Sequence, residues 1–447
     1  MNLLLRCLTL VHREFQNSLR GGSISLFTGM MVANVFAYGY HMLLARIMSP
    51  ADYGVLVTLT SISYVLAVLA RTFQAWIIKA VCTSSDRSGG GVRAVFGLAM
   101  RTVMPLGAVI CLGHWLASRW IADFFHLKSQ IPVILLGIYA FTSFLTPVPR
   151  GVLLGLNRLH MAGMIYPLES VARLVAAIVL VTWGLGVNGA LASYAFGDLL
   201  AFVTALLLLS PLMRVPSDST ASVNTFGALD RYAVLVLITN VLLMIMASVD
   251  QIAVKHFFSD QVAGNYGVAF LLGRIIALST MALGWTIFAR AAHFPADDPR
   301  QARLLIKGLV VTAFIASSLT LGYITLPTLA IRFMGGVQYE IAHAYVGLVG
   351  VEMMIFAFVY IQAYFLMSLK QMHIIWPLLV AVGVELLLLN QYHATVEQIL
   401  WNLIMVMAGL CCYITALSWW TLRAPISAQY LPSLSLTGPA VIKKLEE

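Results

Sequence analysis

Residues 131–154 read IPVILLGIYAFTSFLTPVPRGVLL, a run of twenty-four in which Arg150 is the one charged residue. At helical rise such a run crosses the roughly 30 Å hydrocarbon core of a bilayer. Comparable runs fall near 23–45, 55–78, 94–118, 161–184 and 189–210. After a polar connection they return near 232–254, 267–289, 304–326, 341–366, 374–390 and 399–421. Of the 447 residues 60% are hydrophobic and only 10% charged, a balance that no soluble chain of this size shows. The chain therefore reads as an all-α polytopic membrane protein of about twelve transmembrane helices.

The net charge of +9 would suit a nucleic-acid partner if the basic residues shared one soluble face, but they are scattered between apolar runs. They read as topology determinants instead. With the N-terminus in the cytoplasm, sixteen Lys and Arg residues fall inside and five outside, namely Arg46, Arg119, Lys128, Lys255 and Arg332. That bias expects an even number of spans with both termini cytoplasmic. Residues 1–22, with Arg6, Arg13 and Arg20 and no signal-peptide pattern, read as a cytoplasmic or interfacial segment. There follow a first lobe over 23–210, a cytoplasmic linker over 211–231, a second lobe over 232–421 and a cytoplasmic tail over 422–447. The five cysteines lack metal-ligand spacing, and Ser88-Gly89-Gly90-Gly91 lacks the lysine of a phosphate loop. The sequence therefore points to no metal, cofactor or nucleotide site, with proton and sodium both open as coupling ion.

The two lobes repeat one another. Tyr53-Gly54-Val55 recurs as Tyr266-Gly267-Val268, at an offset of 213. At the same offset Leu116-Ala117 and Arg119 match Leu329-Ala330 and Arg332, and Leu153, Leu156 and His160 match Leu366, Leu369 and His373. An even number of spans per unit makes the repeat parallel, with a pseudo-twofold axis along the membrane normal. Transporters of that plan bind substrate between their two bundles, which makes transport the leading class of function.

Charges inside spans cost roughly 2.5 to 3.5 kcal/mol each on insertion scales, so each one needs a partner, a route to the interface or a wet cavity. Arg71, Arg101, Arg173 and Arg274 fall inside the spans, together with Glu169, Asp198, Asp250, Glu352 and Glu385. Glu169 and Arg173, four apart on one helix, are expected to pair. For Arg71, Arg101 and Arg274, with no acid one turn away, two readings stand: an anion-attracting cavity, or interhelical pairing with Asp198 or Glu352. Arg150 reads as a snorkelling residue near a membrane face, and Asp250 as a partner of Lys255. Asp198, Glu352 and Glu385 are candidate coupling acids.

Leu44-Ala45-Arg46-Ile47-Met48-Ser49-Pro50-Ala51-Asp52-Tyr53-Gly54 resembles the opening of the polysaccharide-export flippases of the multidrug/oligosaccharidyl-lipid/polysaccharide exporter superfamily. The resemblance continues at Arg150-Gly151-Val152-Leu153-Leu154-Gly155-Leu156-Asn157-Arg158, at the Gly184 to Gly189 turn, from Asp250 to Tyr266, and at Met334-Gly335-Gly336-Val337-Gln338-Tyr339. It implies two lobes around a cationic cavity and a lipid-pyrophosphate-linked oligosaccharide moved from the cytoplasmic to the periplasmic leaflet of a bacterial inner membrane. O-antigen or exopolysaccharide synthesis is the implied setting, with membrane lipids and a polysaccharide polymerase as partners. Under that reading Arg71, Arg101, Arg173 and Arg274 would line the cavity. Two alternatives remain: a cation-coupled multidrug exporter of the same superfamily, and more remotely a membrane glycosyltransferase or polymerase. The short outer loops leave the latter little room for a catalytic domain.

Overall fold

A computed structural model of the protein describes residues 2–83, 90–213, 231–291, 294 and 298–423. The expected linker lies outside the described residues from 214 to 230, as do the tail from 424 onward, with Lys443 and Lys444, and residues 84–89, which include Ser88 and Gly89.

The first half holds α1 (Asn2–Ile47), α2 (Pro50–Thr83), α3 (Gly90–Leu116), the short α4 (Ser118–Phe124), α5 (Ile131–Leu145), α6 (Pro147–Gly155), α7 (Leu159–Leu180) and α8 (Gly186–Met213). The second holds α9 (Arg231–Met246), α10 (Val249–Phe257), α11 (Asp260–Ala291), α12 (Pro299–Thr325), the short α13 (Pro327–Met334), α14 (His343–Ser368), α15 (Ile375–Gln391) and α16 (Val396–Arg423). No strand occurs among the described residues. Nine helical stretches there are long and apolar enough to cross a membrane, or ten if α9 and α10, bent by 42°, form one crossing. One of the nine, Leu159–Pro211, is 53 residues long, far more than a crossing needs. The chain reverses within it at Gly184 (φ 88°) and Gly186 (φ 49°), backbone conformations that glycine adopts freely, so α7 and α8 lie side by side. Counting them separately, and α1 over the expected first span, the order agrees with the twelve-helix plan. The repeat is visible too, since the short helices α4 and α13, which carry the matched Arg119 and Arg332, directly follow α3 and α12, the third spans of their halves.

Two features are legible only in the structure. First, the segment expected over residues 1–22 runs unbroken from Asn2 into the first span as α1. Second, the span over α9 and α10 bends at Ala247-Ser248 with no proline. A bend frees backbone carbonyls, and here Arg274 donates to Ala247 O at 3.4 Å and to Ser248 Oγ at 3.3 Å.

The chain divides into two compact units. One comprises Met1–Asp230 with Gln251–Val268 and Thr328–Ala342; the other comprises Arg231–Asp250, Ala269–Pro327 and His343–Glu447. In the first, Val95, Ala99, Val103, Phe144, Val148, Ala201 and Ala205 share a core between α3, α5, α6 and α8. In the second, α14 lies between α12 and α16 and is buried almost throughout its C-terminal half, from Met353 to Met367.

Three of the stretches that carry the family resemblance, 44–54, 250–266 (from Gln251 onward) and 334–339, meet in the first unit. Ser49 caps α2, its Oγ accepting from Asp52 N–H at 3.1 Å and donating to the Asp52 carboxylate at 2.8 Å, with Pro50 at the first helical position. Gly54 and Gly264 let α2 and α11 cross at their starts, because a Cβ on Gly264 would fall 1.8 Å from Pro50 O. Arg46 donates to Phe333 O at 3.0 Å, the Gln338 amide donates to Ala45 O, and the buried rings of Tyr53 and Tyr339 meet edge to face at 5.8 Å.

Candidate functional site

Each unit holds one cluster of charged side chains inside its helices. In the first, α6 supplies Arg150, α7 supplies Glu169 and Arg173, and α8 supplies Asp198. The Arg150 guanidinium donates to one oxygen of Glu169; Arg173 donates to the other at 2.7 Å and to Asp198 at 3.3 Å. Thr142 donates to the second Asp198 oxygen at 3.4 Å, and Thr146 to its backbone carbonyl at 3.1 Å. The two guanidiniums lie over aromatic faces, Arg150 on Tyr166 at 4.1 Å and Arg173 on Tyr194 at 4.4 Å. Tyr194 in turn meets His41 Nε2 at 3.3 Å. Two arginines face two acids, so the cluster is balanced in charge.

The expected pairing of Glu169 with Arg173 is present. The snorkelling role expected of Arg150 is not: its side chain is buried and ends on Glu169. The partner sits 19 residues further on, across a helix turn, where local spacing gives no sign of it. Interhelical pairing does reach Asp198, from Arg173. Arg71 and Arg101 are exposed on α2 and α3, and neither forms an ion pair among the described residues. Arg101 shares an open groove along α3 with Arg93.

In the second unit Arg274 is buried on α11, holding the bend between α9 and α10 and lying 5.2 Å over the Phe270 ring. Asp250 on α10, Glu352 on α14 and Glu385 on α15 are each at most 1% exposed. They stand near enough for Asp250 to act electrostatically on both glutamates, and for the glutamates to act on each other. Neither carboxylate oxygen of Glu352 or of Glu385 has a hydrogen-bond partner among the described residues. The pairing expected between Asp250 and Lys255 is replaced: Lys255 donates to Asp260 at 2.6 Å and to Phe125 O. Spacing on α10 hid this, because Lys255 reaches forward to the start of α11 while Asp250 faces the glutamates.

Burying a bare carboxylate costs several kcal/mol, and burying two near a third acid costs more through their mutual repulsion. Such a group is held by taking up a proton or a cation. The second cluster is therefore chemically able to exchange a positive charge, whereas the first already carries its own. Glu352 and Glu385 were legible in the sequence as intramembrane acids. Asp250 joins them only through the fold.

The fold is that of transporters of the superfamily to which the multidrug MATE proteins belong. An inward-facing MATE transporter superposes with a TM-score of 0.65 at 13% identity, covering 90% of this chain and 98% of that one. An outward-facing MATE transporter gives 0.62 at 12%, covering 90% and 96%, and the MATE multidrug transporter DinF-BH in complex with R6G gives 0.64 at 13%, covering 92% and 97%. More particularly, the chain belongs to the polysaccharide biosynthesis protein family, whose sequence pattern matches residues 43–344. No curated protein matches it by sequence.

Proposed function

We propose that this protein is a flippase that moves lipid-linked oligosaccharide units, of the undecaprenyl-pyrophosphate type, across the bacterial cytoplasmic membrane by alternating access. Both termini face the cytoplasm in this reading, and an inward flow of protons or sodium through Asp250, Glu352 and Glu385 drives the export. The observation that carries it is the pair of glutamates with no hydrogen-bond partner among the described residues, inside a bundle that belongs to a polysaccharide biosynthesis family. Packing has no use for such groups, while a coupled exporter needs them.

Exposed Arg71 and Arg101 are the cations available to an anionic head group in this reading. Arg173 and Arg274 serve it second, since one is already matched by acids and the other holds a helix bend. A polysaccharide polymerase is the partner on the receiving side.

A cation-coupled drug exporter is the other reading, supported by the likeness to MATE folds and by the same acids. Purified protein in liposomes separates the two. A lipid-pyrophosphate-linked oligosaccharide placed on one face is expected to cross only when protein is present. Failure with several glycans under imposed ion gradients, while a cationic dye crosses, would replace the flippase by the drug exporter.

A further inference from the structure

On α11 the sequence Leu283-Gly284-Trp285 meets the inner face of α14. A Cβ on Gly284 would come within 2.7 Å of the Tyr360 ring, so the glycine lets that ring lie flat against the α11 backbone. Tyr360 and Tyr364, one turn apart, stack at 4.4 Å and 27°. The Trp285 indole lies nearly parallel to Tyr364, at 24° and 6.4 Å, and Phe288 closes the stack edge-on at 6.1 Å. Two side-chain hydrogen bonds lock the rings, from the indole N–H to the Tyr360 hydroxyl at 3.0 Å and from the Tyr364 hydroxyl to Asn240 Oδ1 at 2.6 Å. Both tyrosines are buried, yet Trp285 is 56% exposed.

We propose that Trp285 is a stacking platform for a sugar ring of the transported glycan. The inference rests on the polysaccharide reading above and adds to it the site in the second unit that holds the saccharide. A tryptophan that serves a bilayer interface turns its N–H toward wet head groups. This one turns its N–H inward, leaving a flat π face outward. Its exposed neighbours on α11 are Leu278, Ser279, Ala282, Thr286 and Arg290, whereas the exposed row of α15 is Trp376, Leu379, Val380, Val384, Leu386 and Leu387. The α15 row is apolar throughout and suits acyl chains, while the α11 row adds two hydroxyls and a guanidinium to its one leucine. A pyranose presents weakly positive C–H groups on one face and hydroxyls at its rim. The C–H groups match the negative face of the indole. The hydroxyls match the oxygen of adjacent Thr286, whose own proton already goes to Ala282 O at 2.9 Å, leaving lone pairs to accept.

The test has two arms. With p-benzoylphenylalanine in place of Trp285, irradiation of cells that make the polysaccharide is expected to leave a hexose-bearing adduct at that position, and the same probe in place of Leu386 a phospholipid adduct. A phospholipid adduct at position 285, or none, overturns the proposal. In liposomes carrying lipid-pyrophosphate-linked oligosaccharide, Trp285→Ala is expected to lower the initial rate about tenfold, in line with the worth of an aromatic contact, while Trp285→Phe keeps most of it. Equal rates for Trp285→Ala and the wild type would remove this inference and leave the flippase standing. Wild-type protein that moves no lipid-linked glycan would take down both.

Discussion

Glu169 divides its two carboxylate oxygens between Arg150 and Arg173, so the first cluster depends on one side chain. Glu169→Gln would leave two guanidiniums against Asp198 alone. Breaking such a half-sealed pair is expected to cost on the order of 3 kcal/mol, read as a lowered thermal midpoint of the purified protein. Adding Arg150→Met to that change restores the balance of charge and is expected to recover most of the midpoint. A double variant no more stable than the single one would show that the network does not work by charge balance. The glutamates of the second cluster should respond in the opposite sense. Glu352→Gln and Glu385→Gln replace buried carboxyl groups that have no hydrogen-bond partner among the described residues by amides that cannot ionise, so the midpoint is expected to hold or rise. Transport driven by an imposed cation gradient is expected to fall more than about tenfold in the same variants. Stable, fully coupled amide variants would exclude these acids from coupling.

Between elements, close approach through glycine decides what fits. Gly264 meets the Pro50 carbonyl where α11 crosses the start of α2, and Gly409 on α16 has open space where a Cβ would stand. Gly264→Ala must push the two helices apart and is expected to cost about 1–3 kcal/mol or more, while Gly409→Ala gains slightly from helix propensity, by up to about 1 kcal/mol. Thermal unfolding of the two variants side by side checks this, and equal midpoints would mean that the crossing is loose. Arg274 acts at the same scale, since its guanidinium serves carbonyl and hydroxyl groups at the bend between α9 and α10. Most of these elements were legible in the sequence. Run length alone places α3, α12 and α16, because a bilayer sets the number of apolar residues a helix needs. The bend at Ala247-Ser248 was not legible, for it contains no proline and its compensation comes from 27 residues away.

At the scale of the whole molecule, coupling is reciprocal: a cation that drives a glycan one way must be driven by the glycan in return. Reversing the imposed proton or sodium gradient across the liposome is therefore expected to reverse net movement of the lipid-linked oligosaccharide, and movement indifferent to both gradients would leave the acids without a coupling role. What the sequence alone determined is the helical membrane character, the parallel repeat at an offset of 213 and the residues that carry the family resemblance. Those are one-dimensional properties, since hydrophobic length, charge between runs and recurrence at a fixed offset need no knowledge of which helix lies beside which. Only the tertiary structure decided the partners. Arg150 and Glu169 are 19 residues apart, Arg173 and Asp198 are 25, Trp285 and Tyr360 are 75, and Tyr364 and Asn240 are 124. Inside a membrane a charged or polar side chain must find a partner wherever packing brings one within about 3 Å, and that neighbour is chosen by how helices cross and not by their spacing along the chain.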